Sequence, residues 1–308
     1  MNVGFIGIGQ MGQHMARHVL EAGFTLTVHD LRKEAAAQLL EKGARWADSP
    51  AEVAETSRLV ISSLPGPADI EKIIYGDNGL KSGWQAGDVY IDMSTNSPAT
   101  IRKIAADARK MGVDVLDAPV SGGTRGAEMG TLAIMVGGDP AVLEKARPVL
   151  QAMGPKIFPV GDVGCGNIAK LVNNMIALTC SSIAAEGFVL GTKAGIDPQV
   201  LWEIVTSSTG DSWVIRQFPQ SIFPGTFPPM YRLGLAHKDI SLATQMGKDY
   251  NVPLPVGAIV EQKLIDADAA GLGDKHCDAV ILRLEELTGV QVRTKKQSSG
   301  ETRTNRRQ

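Results

Sequence analysis

From Val3 to Gly161 the chain alternates short apolar, β-branched runs with segments of helical periodicity, and beyond Gly161 the alternation stops. Residues 3–8, 24–29, 59–64, 89–92, 113–117 and 133–137 read as strands, and 11–22, 33–42, 98–110 and 141–153 as helices. Strands that are apolar almost throughout have no polar face to offer water. They belong in a parallel sheet covered by helices on both sides. The expectation is a doubly wound α/β domain over residues 1–162.

Past Gly161 no convincing strand remains. Residues 167–193 read as one helix, about 40 Å long at 1.5 Å per residue. Its small and apolar positions (Met175, Ala177, Leu178, Ile183, Ala184, Ala185, Val189) wrap most of its circumference. Such a helix needs a covering core or a partner subunit, so a homodimer or homotetramer is expected. Helical pieces follow at 198–207, 238–250, 256–270 and 277–288, and the proline-rich stretch 219–233 reads as a loop packed by its own aromatics. This gives an all-helical second domain over 163–293 that begins with the long interdomain helix. Residues 294–308 are polar, without apolar anchors, and read as a disordered tail. There is no internal repeat.

Composition removes several classes of function. Lys+Arg number 31 against 33 Asp+Glu, a net charge of −2, which offers no basic excess for nucleic acid or an anionic membrane surface. The three cysteines, Cys165, Cys180 and Cys277, form no CxxC pair and suggest neither a disulfide framework nor a zinc ribbon. No basic n-region precedes the first apolar run, and the most apolar stretch carries Lys170, Asn173, Asn174 and Glu186, groups that lipid disfavours. A cytoplasmic protein, with no nucleic-acid or membrane partner, is the expectation. His14 and His18 share a helix face at i,i+4, but no acidic or cysteine partner completes a metal site, and none is expected.

Gly7-Ile8-Gly9-Gln10-Met11-Gly12 fits GxGxxG between a strand and a helix. Gly7 allows the tight turn, Gly9 lets the backbone approach a pyrophosphate, and Gly12 lets the helix lie against the strand, with Gln10 and Met11 at the helix start. The second strand ends at Asp30, where a carboxylate hydrogen-bonds a ribose 2′-hydroxyl and repels a 2′-phosphate. NAD is therefore expected in preference to NADP, although Arg32 lies two residues on. Leu64 and Pro65 follow the third strand and offer the cofactor an apolar flank, and Thr95 follows the fourth and offers a hydroxyl.

Asp117-Ala118-Pro119-Val120-Ser121-Gly122-Gly123 ends a further strand. The amides of Gly122 and Gly123 and the Ser121 hydroxyl form a grip for a carboxylate. Lys170 and Asn174 share one face of the long helix at i,i+4. A lysine facing a closed cleft loses basicity by desolvation and becomes suited to proton transfer near neutral pH.

Together these segments resemble the NAD(P)-dependent β-hydroxyacid dehydrogenase family, which includes 3-hydroxyisobutyrate dehydrogenases. The resemblance runs from about Val3 to Val292. It rests on the Gly7–Gly12 turn, on Asp117–Gly123 continuing through Gly126-Ala127 to Gly130-Thr131-Leu132, on Gly164-x-Gly166-x-x-x-Lys170-x-x-Asn173-Asn174, and on Lys238-Asp239-Ile240-Ser241-Leu242-Ala243. It implies a Rossmann domain followed by an all-α domain, and oxidation of a short 3-hydroxy acid to its semialdehyde, or the reverse. It also implies Lys170 as the catalytic lysine, Ser121, Gly122 and Gly123 as the carboxylate grip, Asn174 beside the substrate, and Lys238 with Asp239 near the nicotinamide. His18 departs from the family at a packing position. The family's NADP users tend to carry Asn-Arg-Thr where this chain has Asp30-Leu31-Arg32, in line with NAD. Arg125, just past the grip, has two readings, a solvated loop arginine, which is favoured, and a contact for a second anionic group on the substrate. The rival expectations are an imine reductase of the same fold, against which Lys170 and the serine–glycine grip count, and a non-catalytic dinucleotide-binding module.

Overall fold

The computed structural model describes residues 1–294, so the tail expected from 294 onward lies, Thr294 apart, outside the described residues. The strands are β1 (Asn2–Ile6), β2 (Thr25–His29), β3 (Arg45–Trp46), β4 (Leu59–Ser62), β5 (Val89–Asp92), β6 (Asp114–Asp117), β7 (Val120–Ser121), β8 (Ala133–Gly137) and β9 (Lys156–Gly161). They form one sheet in the order β3-β2-β1-β4-β5-β6-β8-β7, with β9 paired to β8. The ladders from β3 to β6 are parallel, β8 runs antiparallel to β6 and β7, and β9 is parallel to β8.

The helices of this region are α1 (Gly12–Glu21), α2 (Ala37–Glu41), α3 (Pro50–Thr56), α4 (Pro67–Tyr75), α5 (Leu80–Gly83), α6 (Pro98–Arg109), α7 (Gly123–Met129) and α8 (Pro140–Met153). Alternation along each strand divides the apolar residues between two cores. Val3, Phe5, Leu59, Ile61, Val89 and Ile91 pack with α1 and α8 on one face. Ile6, Val60, Tyr90 and Val115 pack with α3, α4 and α6 on the other. A fully buried aliphatic side chain of this kind contributes roughly 1.5–3 kcal/mol, and burial on both faces fixes the strand register. Three of these helices open on a proline preceded by a capping side chain: Ser49 accepts from the Glu52 amide, Ser97 from Ala99 and Thr100, and Asp139 from Ala141 and Val142.

The chain then enters α9 (Cys165–Lys193), which links the two domains and is followed by α10 (Pro198–Thr206), α11 (Leu233–Asp249), α12 (Pro255–Ala267) and α13 (Ile281–Thr288). Among the described residues α9 is the one helix long and apolar enough to cross a membrane, by length and composition. It nevertheless buries Asn167, Asn174, Ser181 and Ser182. By contacts the chain forms two compact units. One joins Met1–Ile176 to Leu235–Glu261, and the other joins Ala177–Gly234 to the described residues from Gln262 on.

Within the second unit, Phe188, Phe218 and Phe223 cluster with ring centroids 5.0 to 6.4 Å apart. Of the stretch expected as a loop, residues 221–232 form an irregular segment between a short 3₁₀ turn at Ile215–Gln220 and α11, with Phe223 and Phe227 buried. Asp278 is buried and accepts from the hydroxyls of Ser181 (2.7 Å) and Ser221 (2.6 Å). His276, Cys277 and Asp278 bring potential ligand atoms within 4.8 Å of one another. The Asp278 oxygens, however, are committed to this structural network.

Candidate active site

β1 has β2 on one side and β4 on the other, so the chain winds away from it in both directions. The crevice beyond the carboxyl ends of β1 and β4 is where open α/β sheets bind ligands. Gly7, at the end of β1, has φ +94°, and a Cβ there would meet the Ser63 carbonyl oxygen at 2.3 Å. A Cβ on Gly12 would lie 1.8 Å from the Gly7 carbonyl oxygen. Both positions require glycine for the turn and for the close approach of α1 to β1. Gly9 differs, because a Cβ there would project into open space. Helix α1 begins at Gly12 with no side-chain cap and no acidic residue in its first turn, which leaves its amide donors for an external anion. Asp30, just beyond β2, accepts from the Ile8 amide (2.8 Å) and the Arg32 amide (2.9 Å), which pins its carboxylate beside the turn. An uncapped helix start, an open cradle at Gly9 and a fixed carboxylate at the second strand end fit a dinucleotide.

The loops after β4 and β5 are tied together. The Leu64 amide donates to Ser94 Oγ (2.9 Å). The Lys238 ammonium, from α11, donates to the Pro65 carbonyl (2.7 Å) and the Thr95 carbonyl (2.9 Å). Thr95 thus engages this lysine through its backbone oxygen. Lys238 also pairs with Asp239 at 2.9 Å.

Asp239 connects this cluster to α9, since Asn174 Nδ2 donates to it at 2.7 Å and the Asn174 oxygen accepts from Asn173 at 3.1 Å. Lys170 lies one turn before Asn174. Burial holds its amine below the ordinary lysine range; Asp239 opposes that shift, and Lys238 reinforces it. Lys170, Asn174, Lys238 and Asp239 therefore act on one another within a single compact unit.

The Ser121–Gly123 turn leaves β7 and enters α7, with Gly122 at φ +133° and Gly123 at φ +63°. Ser121 is half-buried, and Gly122, Gly123 and Arg125 are exposed. Sequence reasoning passed over Asp117, at the end of β6, and Asn167, in the first turn of α9. Both are fully buried and bonded to each other, and Asn167 also bonds to Asn96. The available signal was an acidic residue closing an otherwise apolar strand, paired with the close Gly164-x-Gly166 spacing.

Residues 2–161 match the profile of the NAD binding domain of 6-phosphogluconate dehydrogenase, and residues 164–284 that of the NAD-binding domain of NADP-dependent 3-hydroxyisobutyrate dehydrogenase. The chain is 41% identical over 293 residues to 2-(hydroxymethyl)glutarate dehydrogenase of Eubacterium barkeri, covering 95% of this chain and 97% of that protein. It is 38% identical over 267 residues to 3-hydroxyisobutyrate dehydrogenase of Pseudomonas aeruginosa, covering 84% and 89%. Among solved structures, 3-hydroxyisobutyrate dehydrogenase of Mycobacterium tuberculosis with L-serine superposes with a TM-score of 0.85 at 32% identity, covering 92% of this chain and 98% of that one. The Rossmann sheet, the helical second domain and these relatives together establish that the chain belongs to the NAD(P)-dependent β-hydroxyacid dehydrogenase family.

Proposed function

We propose that the chain oxidises a short 3-hydroxy acid, 3-hydroxyisobutyrate or a close analogue, to its semialdehyde with NAD, or runs the reverse reduction. Residues 1–162 hold the dinucleotide, and 163–293 supply the lysine and complete the substrate site. The observation that carries the reading is an amine of weakened basicity, Lys170, grouped with Asn174, Asp239 and Lys238. Lys238 in turn holds the loops that follow β4 and β5.

When bound, the nicotinamide ring supplies the two-electron acceptor for hydride. The chain's own residues do the rest. The Gly122 and Gly123 amides and the Ser121 hydroxyl hold the substrate carboxylate, and Asn174 orients the hydroxyl-bearing carbon. Lys170 Nζ takes the hydroxyl proton as hydride leaves the same carbon, so that the alcohol becomes a carbonyl. In the reverse direction the protonated amine returns that proton to the carbonyl oxygen. Its charge stabilises the developing alkoxide. The test is a panel of 3-hydroxyisobutyrate, glycerate, serine, 2-(hydroxymethyl)glutarate and sulfonated hydroxy acids, run with NAD and NADP in parallel and followed by nicotinamide absorbance. No turnover with any of them would remove the reading.

Asp30 supports NAD over NADP, because its pinned carboxylate lies where a 2′-phosphate would bring a like charge. The expected kcat/KM ratio favours NAD by about tenfold or more, ~1.4 kcal/mol. Asp30→Ala narrows it mainly by improving NADP. An unchanged ratio in that variant would show that the carboxylate does not discriminate.

The same reading includes a cytoplasmic homodimer or homotetramer. Helix α9 leaves Ile183 61% and Leu190 72% exposed on a single chain, and a second copy would cover them. Light scattering at micromolar concentration is expected to return a multiple of the 32.7 kDa chain mass. A monomer would overturn the assembly and leave the chemistry untouched.

A further inference from the structure

We infer that Asp117 is the positioning residue for the catalytic amine: one buried carboxylate seats the first turn of α9 on the end of β6 and thereby sets where Lys170 stands relative to the Ser121–Gly123 grip. The inference rests on the role proposed above for Lys170.

Asp117 Oδ1 accepts from the Gly164 amide at 2.7 Å. Oδ2 accepts from the Asn167 amide at 2.7 Å and the Asn167 side chain at 3.2 Å. These amides belong to the start of α9, where a helix has donors without intrahelical partners. A cap ordinarily comes from the residue before the helix. Here it comes from a strand 47 residues earlier in the chain. The two elements are held by tertiary geometry as well as by chain connectivity.

The contact continues inward. Asn167 Oδ1 accepts from the Asn96 amide at 2.7 Å, and Asn96 Nδ2 donates to Asp92 at 2.9 Å. Asp92 in turn accepts from the Ser94 amide at 3.0 Å and the Ser62 hydroxyl at 3.1 Å. One buried network therefore ties the ends of β4, β5 and β6 to the start of α9. Two glycines make the approach possible. A Cβ on Gly137 would lie 2.4 Å from Asp117 Oδ1, and one on Gly166 would lie 2.5 Å from the Asp117 carbonyl and 2.9 Å from Oδ2. Burial pushes the Asp117 carboxyl up to about 6, against the hydrogen bonds from Gly164 and Asn167, with Asp92 adding to the rise. It remains ionised at neutral pH and able to accept all three bonds.

Lys170 is three residues past Asn167, on the same side of the helix. Ser121 is four positions past Asp117 along the chain. The carboxylate thus connects the strand that leads into the proposed grip with the helix turn that precedes the proposed catalytic lysine. A misplacement near 1 Å at a reacting centre lowers turnover by up to about a hundredfold.

The experiment uses the full-length enzyme with its best substrate. Asp117→Asn keeps the shape but replaces one acceptor oxygen with a donor that faces an N–H. The expected result has three parts. The kcat falls roughly 10–100-fold, and dinucleotide affinity, measured by fluorescence titration, stays within about twofold, because the β1–α1 turn is untouched. The inflection of kcat/KM for oxidation, set by the Lys170 amine, also moves up by about half a pH unit or more as its first turn loosens and water reaches it. The groups that set that inflection otherwise, Asp239 and Lys238, are unchanged.

Val149→Ala, a cavity in the buried face of α8, is the control for lost stability, with a lowered Tm and unaltered kinetics. If Asp117→Asn behaves like this control, the inference is overturned. Should it fail to fold, Asn167→Ala decides, because it keeps both backbone donors to Asp117 and removes the side-chain bonds of Asn167 to Asp117 and to the Asn96 amide. The expected change is a fall in kcat of about fivefold with the same upward inflection, and unaltered kinetics in that folded variant overturn the inference too. Failure of the underlying reading looks different, since turnover would then survive loss of Lys170 itself.

Discussion

Lys170→Ala is expected to fold, to bind dinucleotide with unchanged affinity, and to lose turnover by about a hundredfold to ten-thousandfold, the range that a positioned general acid–base group supplies. The amine is held below its ordinary range by burial, so truncating it removes an unfavourable desolvation along with the chemistry. Stability should hold or rise at neutral pH. The sign follows from linkage: a lysine whose folded-state pKa is depressed binds fewer protons in the native state than in the unfolded one. Its contribution to stability therefore increases with pH, from the depressed value up to about 10.4. The variant loses that slope.

On the proposed mechanism, oxidation needs the free amine of Lys170 and is expected to gain rate as pH rises through the depressed value. Reduction needs the ammonium and loses rate over the same interval. Opposite limbs with one shared inflection, both absent in Lys170→Ala, are the signature to look for. Initial rates in both directions across pH, beside a calorimetric Tm series, would check it. Near-normal turnover in the variant would discard Lys170 as the proton-transfer group.

Much of this was legible because the physics was local. The Gly7–Gly12 turn needs glycine for reasons of φ and close approach that three letters announce. Strands buried on both faces read as continuous apolar runs, and the β5 and β8 bounds coincide with those expected. What escaped depended on partners distant in sequence. Helices α3 and α4 are short and open on Ser49-Pro50 and Gly66-Pro67, too brief for periodicity to declare them. Strand β9 is an exposed edge whose short apolar run, Ile157 to Val160, is broken by Pro159, a residue that argues against a strand. Helix α11 starts at Leu233, five residues before the expected Lys238, because its opening turn is anchored by the Lys275 and Gly273 carbonyls. In the site, Lys170 and Asn174 could be paired by helical spacing alone, since both lie on one helix. Asp117 is bonded to residues 47 and 50 positions away, and only the folded chain brings them together. Lys238 is a similar case, because its partners Pro65 and Thr95 are 173 and 143 residues distant.

The paired substitutions Gly12→Ala and Gly9→Ala separate packing from cofactor contact more sharply than any other change. At Gly12 the new methyl would meet the Gly7 carbonyl oxygen at 1.8 Å and its carbon at 2.9 Å. Backbone cannot swing aside as a side chain can, so α1 must move away from β1. Overpacking of this kind destabilises by about 1–3 kcal/mol, and the displaced helix start no longer aims its amides at the pyrophosphate. The dinucleotide Kd should rise more than about a hundredfold, a loss of ~2.7 kcal/mol or more, together with a lower Tm. Gly9 has ordinary φ and open space around its missing Cβ, so alanine there should leave the Tm of the free enzyme within the small range of a neutral surface change, about 0.5 kcal/mol. Yet that space is where the proposed pyrophosphate approaches the backbone, and the methyl should weaken dinucleotide binding by about tenfold or more. Differential scanning calorimetry with and without NAD, alongside fluorescence titration, reads both effects. If Gly9→Ala binds dinucleotide as tightly as the parent, the open cradle is not the cofactor's seat, and the assignment of the β1–α1 turn falls with it.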